Sequence, residues 1–219
     1  MKSTLEERTG NLGYEVIIAD TYARGVAKLR ELGELPKMFK ENIEARVTAY
    51  ENGDRELFNI WLDSCTAVVN KKRSTKFKIV PKSKDLITIP ENFNGACLPV
   101  AYAGVKNGIG LDSSKGKYNQ PLSEGEPLVH KGWLAAVEDK SLLKAYHNII
   151  FKGFKQERAM GFYVRENTPK DELRALFVGG LGGYSYAGGY GYLNGGGPFL
   201  RGSPVVSAKK TGTGLHHGK

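Results

Sequence analysis

Cysteine and histidine, the residues most often used for disulfides, metal sites and nucleophilic catalysis, are scarce in this chain. Its 219 residues include two cysteines and four histidines. Two cysteines are too few for a disulfide framework, and no His/Cys spacing resembles a zinc site. Cys65 lies in an apolar pattern typical of a buried thiol, and a single bridge to Cys97 stays open. We therefore expect no metal, no cofactor and an intracellular, cytoplasmic location.

Catalytic machinery is also lacking. His130 and His147 fall within predicted structure, but nothing in the sequence orients either ring, so packing or surface roles are expected. The segment Lys115-Gly116-Lys117 lacks the glycine spacing and the Lys-Ser/Thr pair of a phosphate loop. No catalytic residue is predicted, and an enzyme whose site forms only on folding is kept as a third hypothesis.

Membrane segments are missing as well. The first ten residues are polar, and the apolar run Val16–Ala19 is too short for a signal peptide. The uncharged run from 175 to 200 has the length of a membrane span. Its glycine and tyrosine residues supply little transfer free energy, so we expect no membrane partner.

Positive charge, by contrast, is abundant and uneven. The whole chain carries a net charge of +9. Residues 1–70 carry nine Lys/Arg against twelve Asp/Glu, or −3, whereas residues 71–219 carry twenty-three against eleven, or +12. Such an asymmetry indicates a polyanionic partner, which could be nucleic acid, an acidic protein surface or anionic lipid, although solubility alone would also account for it.

Hydrophobic periodicity predicts an α+β fold in three segments. Residues 1–70 are predicted to be a three-helix module, because apolar residues recur at intervals of three and four. Residues 71–178 form a basic, mixed α/β region. Residues 179–219 form a Gly/Tyr-rich C-terminal segment with a basic tail.

Within the first two segments the pattern predicts individual elements. Helices are expected over 13–33, 36–50 and 54–70, over 127–151 with a break at Gly132, and after Thr168. Strands are expected over 75–80, 86–89 and 161–164, and residues 100–105 are a further candidate for a buried strand.

The densest run of cations lies between residues 71 and 84. From Thr75 to Val80 polar and apolar residues alternate, which predicts a strand with a basic outer face. Clustered ammonium and guanidinium groups suit phosphate binding, and they equally protect an exposed edge strand from aggregation. The predicted nucleic-acid contacts on this run are Lys71, Lys72, Arg73, Lys76, Lys78, Lys82 and Lys84.

Glycine dominates the C-terminal segment, filling ten of the nineteen positions from 179 to 197, and no charged residue lies between Arg174 and Arg201. Glycine buries no side chain and loses the most backbone entropy on ordering. We therefore expect exposed amides and aromatic faces here, with tyrosines as stacking platforms. The predicted contacts are Tyr184, Tyr186, Tyr190 and Arg201.

The glycine spacing has a parallel among RNA-binding proteins. Gly180-Leu181-Gly182, five residues, then Gly188-Gly189-Tyr190-Gly191 resembles the glycine-rich loop of the repeat-associated RNA-binding proteins of CRISPR systems. The doubled glycine at 188–189 departs from that pattern. The resemblance implies a loop whose backbone approaches RNA phosphates closely.

Together these features predict a non-enzymatic protein that binds RNA or DNA through the basic strand and the Gly/Tyr-rich loop. The alternative is a structural or assembly subunit of a capsid, cage or filament, with subunit contacts made by the helical module and the Gly/Tyr segment. A homo-oligomer is expected.

Overall fold

The computed structural model describes residues 5–9, 14–181 and 184–201, of which 5–9 and Leu181 are described through the backbone alone. The helices are α1 (Tyr22–Glu31), α2 (Phe39–Glu51), α3 (Lys84–Ile87), α4 (Lys131–Val137) and α5 (Lys140–Asn148), the last continued by a π-helical turn, Ile149–Gly153. The strands are β1 (Leu5–Thr9), β2 (Glu15–Ala19), β3 (Leu62–Asn70), β4 (Lys76–Val80), β5 (Leu98–Pro99), β6 (Ile109–Asp112), β7 (Leu122–Ser123), β8 (Arg158–Ala159), β9 (Gly161–Val164), β10 (Glu172–Leu181), β11 (Tyr184–Gly189) and β12 (Gly197–Arg201).

A central sheet organises the fold and has seven strands over the described residues. Its order is β6-β4-β3-β10-β11-β9, with β5 added to β10. Neighbouring strands are antiparallel except β11 and β9, which run parallel. The two ends of the described chain meet in a second sheet, β1-β2-β12, while β7 and β8 pair with each other.

Helices cover both faces of β3. Val68 packs in one core with α2, α4 and α5, where Phe39 is fully buried. Val69 packs in the other core with Tyr22 of α1. Successive side chains of a strand point to opposite faces, so β3, which is covered on both faces, lacks the alternation of exposed and buried residues that marks a half-exposed strand.

The mixed α+β class is confirmed, but the three-helix module predicted over residues 1–70 is wrong. α2 lies where the sequence predicts the second helix. The first predicted helix contains β2 followed by α1, and the third is replaced by β3. Burial on both faces explains the last error, because a segment whose apolar residues do not alternate with polar ones fits a helix as well as a strand.

Two of the four strands predicted in the basic region are confirmed. The candidate strand at 100–105 is wrong, because that segment holds a short 3₁₀ helix, Tyr102–Gly104, with no buried residue. β4 and β9 lie over the segments predicted at 75–80 and 161–164. The strand predicted at 86–89 is instead occupied by α3, because the Ser83 hydroxyl accepts a hydrogen bond from the Leu86 amide and caps a helical turn.

The predicted helices of this region are corrected in two places. The helix expected over 127–151 becomes α4 and α5, which separate at Glu138 in the left-handed conformation (φ 57°) rather than at Gly132. The helix expected after Thr168 is replaced by the entry into β10. Among the described helices, none has both the length and the apolar composition needed to cross a bilayer.

Much of the Gly/Tyr-rich stretch lies in β10, β11 and β12 rather than in the exposed loop that its composition predicts, while residues 190–196 between β11 and β12 form an irregular segment with exposed tyrosines. In the pairing of β10 with β11, Phe177 lies opposite Gly188, and Tyr186 lies opposite Gly179. A Cβ built at either glycine would overlap the ring of its partner. Glycine therefore leaves room for aromatic rings to lie across the strand pair, which is how such residues stabilise a sheet.

Candidate ligand-binding pocket

The predicted basic contacts lie in and beside β4. The Lys78 ammonium donates a hydrogen bond to the Tyr102 carbonyl at 3.0 Å and lies 4.5 Å from the centroid of that ring. Lys76 borders a shallow depression of about 350 Å³ together with Lys115 and Lys131. The other members of the run, on either side of the strand, are Lys71, Lys72, Arg73, Lys82 and Lys84.

The predicted contacts of the Gly/Tyr stretch lie elsewhere. Tyr184 and Tyr186 belong to β11, Tyr190 follows it, and Arg201 ends β12, where it pairs with two glutamates. β3 and β10 separate β11 from β4, which is a distance of about 14 Å at the usual strand spacing. The structure thus divides the predicted contacts between two surfaces.

An open pocket of about 360 Å³ lies beside Tyr186 and the segment that follows β11. It is lined by the aromatic residues Trp61, Phe177, Tyr186, Tyr190 and Tyr192, by Asp63, and by glycines between 191 and 196. Three of these rings are well exposed: Trp61 by 51%, Tyr190 by 37% and Tyr192 by 60%. We call this site the aromatic pocket.

Strand pairing brings the two sides of the aromatic pocket together. Asp63 on β3 lies opposite Phe177 on β10, and Trp61 immediately precedes β3. The register of the two strands shifts between Ala175 and Phe177. Such a β-bulge re-aims the side chains around it and is common beside functional sites.

Edge-to-face ring contacts build the aromatic wall. The Phe177 centroid lies 5.8 Å from that of Tyr186 and 5.5 Å from that of Tyr190, with interplanar angles of 80°. Tyr163 of β9 adds a third contact, 5.6 Å from Tyr186. Burial, followed by a hydrogen bond with the Tyr186 hydroxyl, raises the pKa of Tyr190 above its usual range. The wall therefore remains neutral near physiological pH, and its rings are held in a favourable geometry.

The buried Arg174 anchors the segment that carries Tyr190 and Tyr192. Its guanidinium donates hydrogen bonds to the carbonyls of Gly191 at 3.0 Å and Ala96 at 3.1 Å. It pairs with the buried Glu172 at 2.7 Å. It also lies 5.1 Å from the centroid of the Tyr192 ring. Five donors in a rigid fork allow one arginine to fix several main-chain groups at once.

A second buried arginine, Arg46 of α2, supports the side of the pocket that presents Trp61. It donates a hydrogen bond to the carbonyl of Ile60, the residue before Trp61, at 2.5 Å. It also donates to the Tyr146 hydroxyl at 2.8 Å and to the Gly179 carbonyl at 3.3 Å. Arg46 thereby ties α2, α5 and β10 to the turn that leads into the pocket.

Asp63 is the acidic group of the pocket. Its side chain is half-buried and lies against Gly197, where a Cβ would overlap the carboxylate. Within the described part of the chain it forms no hydrogen bond or ion pair through its carboxylate. Burial raises the pKa of Asp63 from 3.8 to about 7. A carboxylate with a perturbed pKa in an open pocket marks a candidate functional site.

The side chains of His130, His147 and Cys65 have structural roles in the packed interior. His130 Nδ1 accepts a hydrogen bond from the Trp133 amide at the start of α4, and burial lowers the pKa of His130 to about 4. His147 Nε2 accepts one from the Gly125 amide. Cys65 is a free, buried thiol, as predicted, and burial raises its pKa to about 11. Over residues 14–181 and 184–201, no three His, Cys, Asp or Glu side chains are grouped closely enough to hold a metal ion.

Sequence reasoning selected Tyr186 and Tyr190 but missed the other pocket side chains. Tyr192 has the same composition around it and could have been selected by the same signal. Trp61 and Asp63 carry no local signal, because pairing with a strand more than a hundred residues away places them in the pocket.

Comparison with known proteins identifies a similar fold. No family model matches the chain, and no curated protein matches it. A solved structure, described as accommodation of massive sequence variation in Nanoarchaeota by the C-type lectin fold, superposes with a TM-score of 0.64 at 16% sequence identity. The match covers 91% of this chain and 97% of that one. The chain's fold is therefore similar to the C-type lectin fold.

This similarity overturns the function predicted from composition. The hypothesis of a glycine-rich, basic protein that binds nucleic acid is wrong, and so is its alternative of an assembly subunit. The physical reason lies in the glycine stretch, which builds strands of this fold instead of a loop open to phosphates.

Proposed function

We propose that this chain is a binding protein that recognises its ligand through the aromatic pocket. The observation that carries the proposal is the convergence on one open cavity of three exposed aromatic rings and a carboxylate for which the described residues provide no partner. Exposed aromatic residues with a polar tip are the side chains that most often dominate recognition surfaces. A cavity of about 360 Å³ falls within the range typical of ligand pockets.

The architecture around the pocket supports the proposal. Arg46 and Arg174 fix the main chain that presents Trp61 and Tyr192, and they do so by hydrogen bonds to carbonyls. The exposed side chains of Trp61 and Tyr192 are therefore not needed to hold this main chain in place. The similar C-type lectin fold is described as accommodating massive sequence variation, and a lining of this kind is one in which side chains could be exchanged without loss of the scaffold.

Binding can be tested with the two tryptophans of the chain. Trp61 lies in the pocket, whereas the indole of Trp133 is buried and donates a hydrogen bond to the Met160 carbonyl at 2.6 Å. In ¹H–¹⁵N NMR spectra each indole gives its own signal. We expect members of a screen of charged, polar and saccharide fragments to shift the Trp61 signal and leave that of Trp133 in place.

Two variants make this screen specific. Tyr192→Leu removes an exposed ring of the pocket and should weaken each hit, while Val129→Ser changes a side chain that is 74% exposed away from the pocket and should leave binding unchanged. Hits that move only signals of the depression beside Lys115 and Lys131, or no hit at all, would refute the proposed function.

A further inference from the structure

The charge around the aromatic pocket differs from that of the chain as a whole. The chain carries a net charge of +9, yet the described residues that line the pocket include Asp63 and no lysine or arginine. The nearby Arg174 is neutralised by Glu172 and by main-chain carbonyls. The pocket is therefore a local site of negative potential on a positively charged protein.

The aromatic rings that line the pocket also favour a positively charged ligand. The faces of tryptophan and tyrosine rings carry a negative quadrupole that attracts ammonium and guanidinium groups. Trp61, Tyr190 and Tyr192 all retain exposed surface around the cavity. The chain itself contains such contacts, with Arg174 over Tyr192 at 5.1 Å and Lys78 over Tyr102 at 4.5 Å.

The carboxylate lacks the counter-charge that its position requires. Asp63 is half-buried beside Gly197, and the described residues provide it with no hydrogen-bond donor or cation. An ionised carboxylate in such surroundings is unfavourable unless a partner neutralises it. A ligand that brings its own positive charge would supply that partner and gain a charge-assisted hydrogen bond.

Resting on the proposed function, we propose that the aromatic pocket binds the cationic end of a lysine or arginine side chain on a protein partner. Asp63 accepts the hydrogen bond from the ammonium or guanidinium, and the rings of Trp61, Tyr190 and Tyr192 surround the charge and its alkyl stem. A neutral saccharide could stack on the same rings and hydrogen-bond to Asp63, but it would leave the carboxylate charge uncompensated.

Asp63 is the group near the pocket whose charge we expect to change between pH 5 and pH 8.5, and its titratable neighbours are as follows. Burial raises the pKa of Tyr22, which lies close enough to sense the Asp63 charge. Burial likewise raises the pKa values of Tyr190 and of Cys65, the latter to about 11. Asp20, whose main chain lies close to Gly196, has its carboxylate paired with Arg24 at 2.8 Å.

The test uses Nα-acetyl-lysine methylamide and Nα-acetyl-arginine methylamide as cationic probes. The neutral probes are Nα-acetyl-norleucine methylamide, which lacks the charge, and methyl α-glucoside. Titrations follow the Trp61 indole signal at pH 8.5 and pH 5. Lysine and arginine side chains remain protonated at both values, whereas Asp63 is ionised at the higher pH and protonated at the lower one.

We expect the cationic probes to bind at pH 8.5 and to weaken by about 10-fold or more at pH 5, in line with the lost charge of Asp63. The Asp63→Asn variant should weaken them similarly at pH 8.5 and abolish the pH dependence. The Glu124→Gln variant removes the same charge from an exposed position outside the pocket and should behave as wild type. Tyr192→Leu should weaken the cationic probes while the protein stays folded.

The other outcomes separate the two proposals. If the glucoside or the norleucine probe shifts Trp61 as strongly as the cations do, or Asp63→Asn leaves cation binding intact, the cation proposal is overturned and the proposed function stands. If no probe or screened fragment shifts Trp61, both are overturned.

Discussion

Asp63→Asn should stabilise the folded protein at alkaline pH. The variant keeps the size of the side chain and removes its charge. Burial raises the pKa of Asp63 from 3.8 to about 7, so the folded state holds this proton more tightly than the unfolded state does. The stability associated with the proton is fully present below pH 3.8 and is lost as the pH rises through about 7.

The magnitude follows from the size of the shift. Each pKa unit corresponds to about 1.4 kcal/mol, so ionising Asp63 costs the folded state up to about 4 kcal/mol above pH 7. Asp63 has intermediate exposure as a residue and lines the open pocket, where access to water lowers this cost, so we expect a gain of about 2–3 kcal/mol for Asp63→Asn at pH 8.5. At pH 4 the two proteins should differ by less than about 1 kcal/mol.

Urea unfolding followed by tryptophan fluorescence at pH 4, 6 and 8.5 measures the difference. The Glu124→Gln variant serves as the control, because Glu124 is exposed. Its free energy of unfolding should differ from that of wild type by the same amount at each pH. A stability difference between Asp63→Asn and wild type that is flat with pH would refute the reasoning. So would a loss of stability in Asp63→Asn at pH 8.5, since it would mean that a partner already stabilises the carboxylate.

Three further changes test the scaffold. Gly188→Ala places a methyl group against the ring of Phe177 and should lower the free energy of unfolding in urea by about 1–3 kcal/mol. Gly110→Ala is the control, because open space surrounds that position, and it should change the free energy of unfolding by less than about 1 kcal/mol. Equal costs for the two variants would contradict the packing argument. Arg46→Ala removes one hydrogen-bond donor from each of four acceptors and leaves a cavity, so it should cost about 3–5 kcal/mol. A loss of less than about 1 kcal/mol would count against its role. The Cys65 thiol, buried and with its pKa raised to about 11, should react with Ellman's reagent at pH 8 only on unfolding, and rapid reaction in the native protein would show that the site opens.

The fold could be predicted where local pattern and tertiary environment agree. The alternation at 75–80 predicts β4 correctly because β4 presents one exposed and one buried face. The pattern over 62–70 fails because both faces of β3 are buried, so no period of two survives in the sequence. At Ser83 a local hydrogen bond determines the secondary structure. The Ser83 hydroxyl caps a helical turn and favours it over the strand predicted from the apolar residues that follow.

The pocket could be predicted only in part, for a similar reason. Composition marks Tyr186 and Tyr190, since tyrosines between glycines cannot all be buried in an ordinary core. It gives no information about Asp63, which has the appearance of any surface acid until the pairing of β3 with β10 places it opposite Phe177. Composition also misassigns the glycines, which it links to exposed backbone, although they accommodate rings within the sheet.

The position of the two buried arginines separates stability from recognition in this fold. Arg46 and Arg174 bind carbonyl groups, which every residue possesses, so the main chain of the pocket is held whatever side chains it displays. Trp61 and Tyr192 remain largely exposed and contribute little burial of their own. Substitution of these two residues should therefore change the ligand more than the free energy of unfolding, and substitution of either arginine should do the reverse.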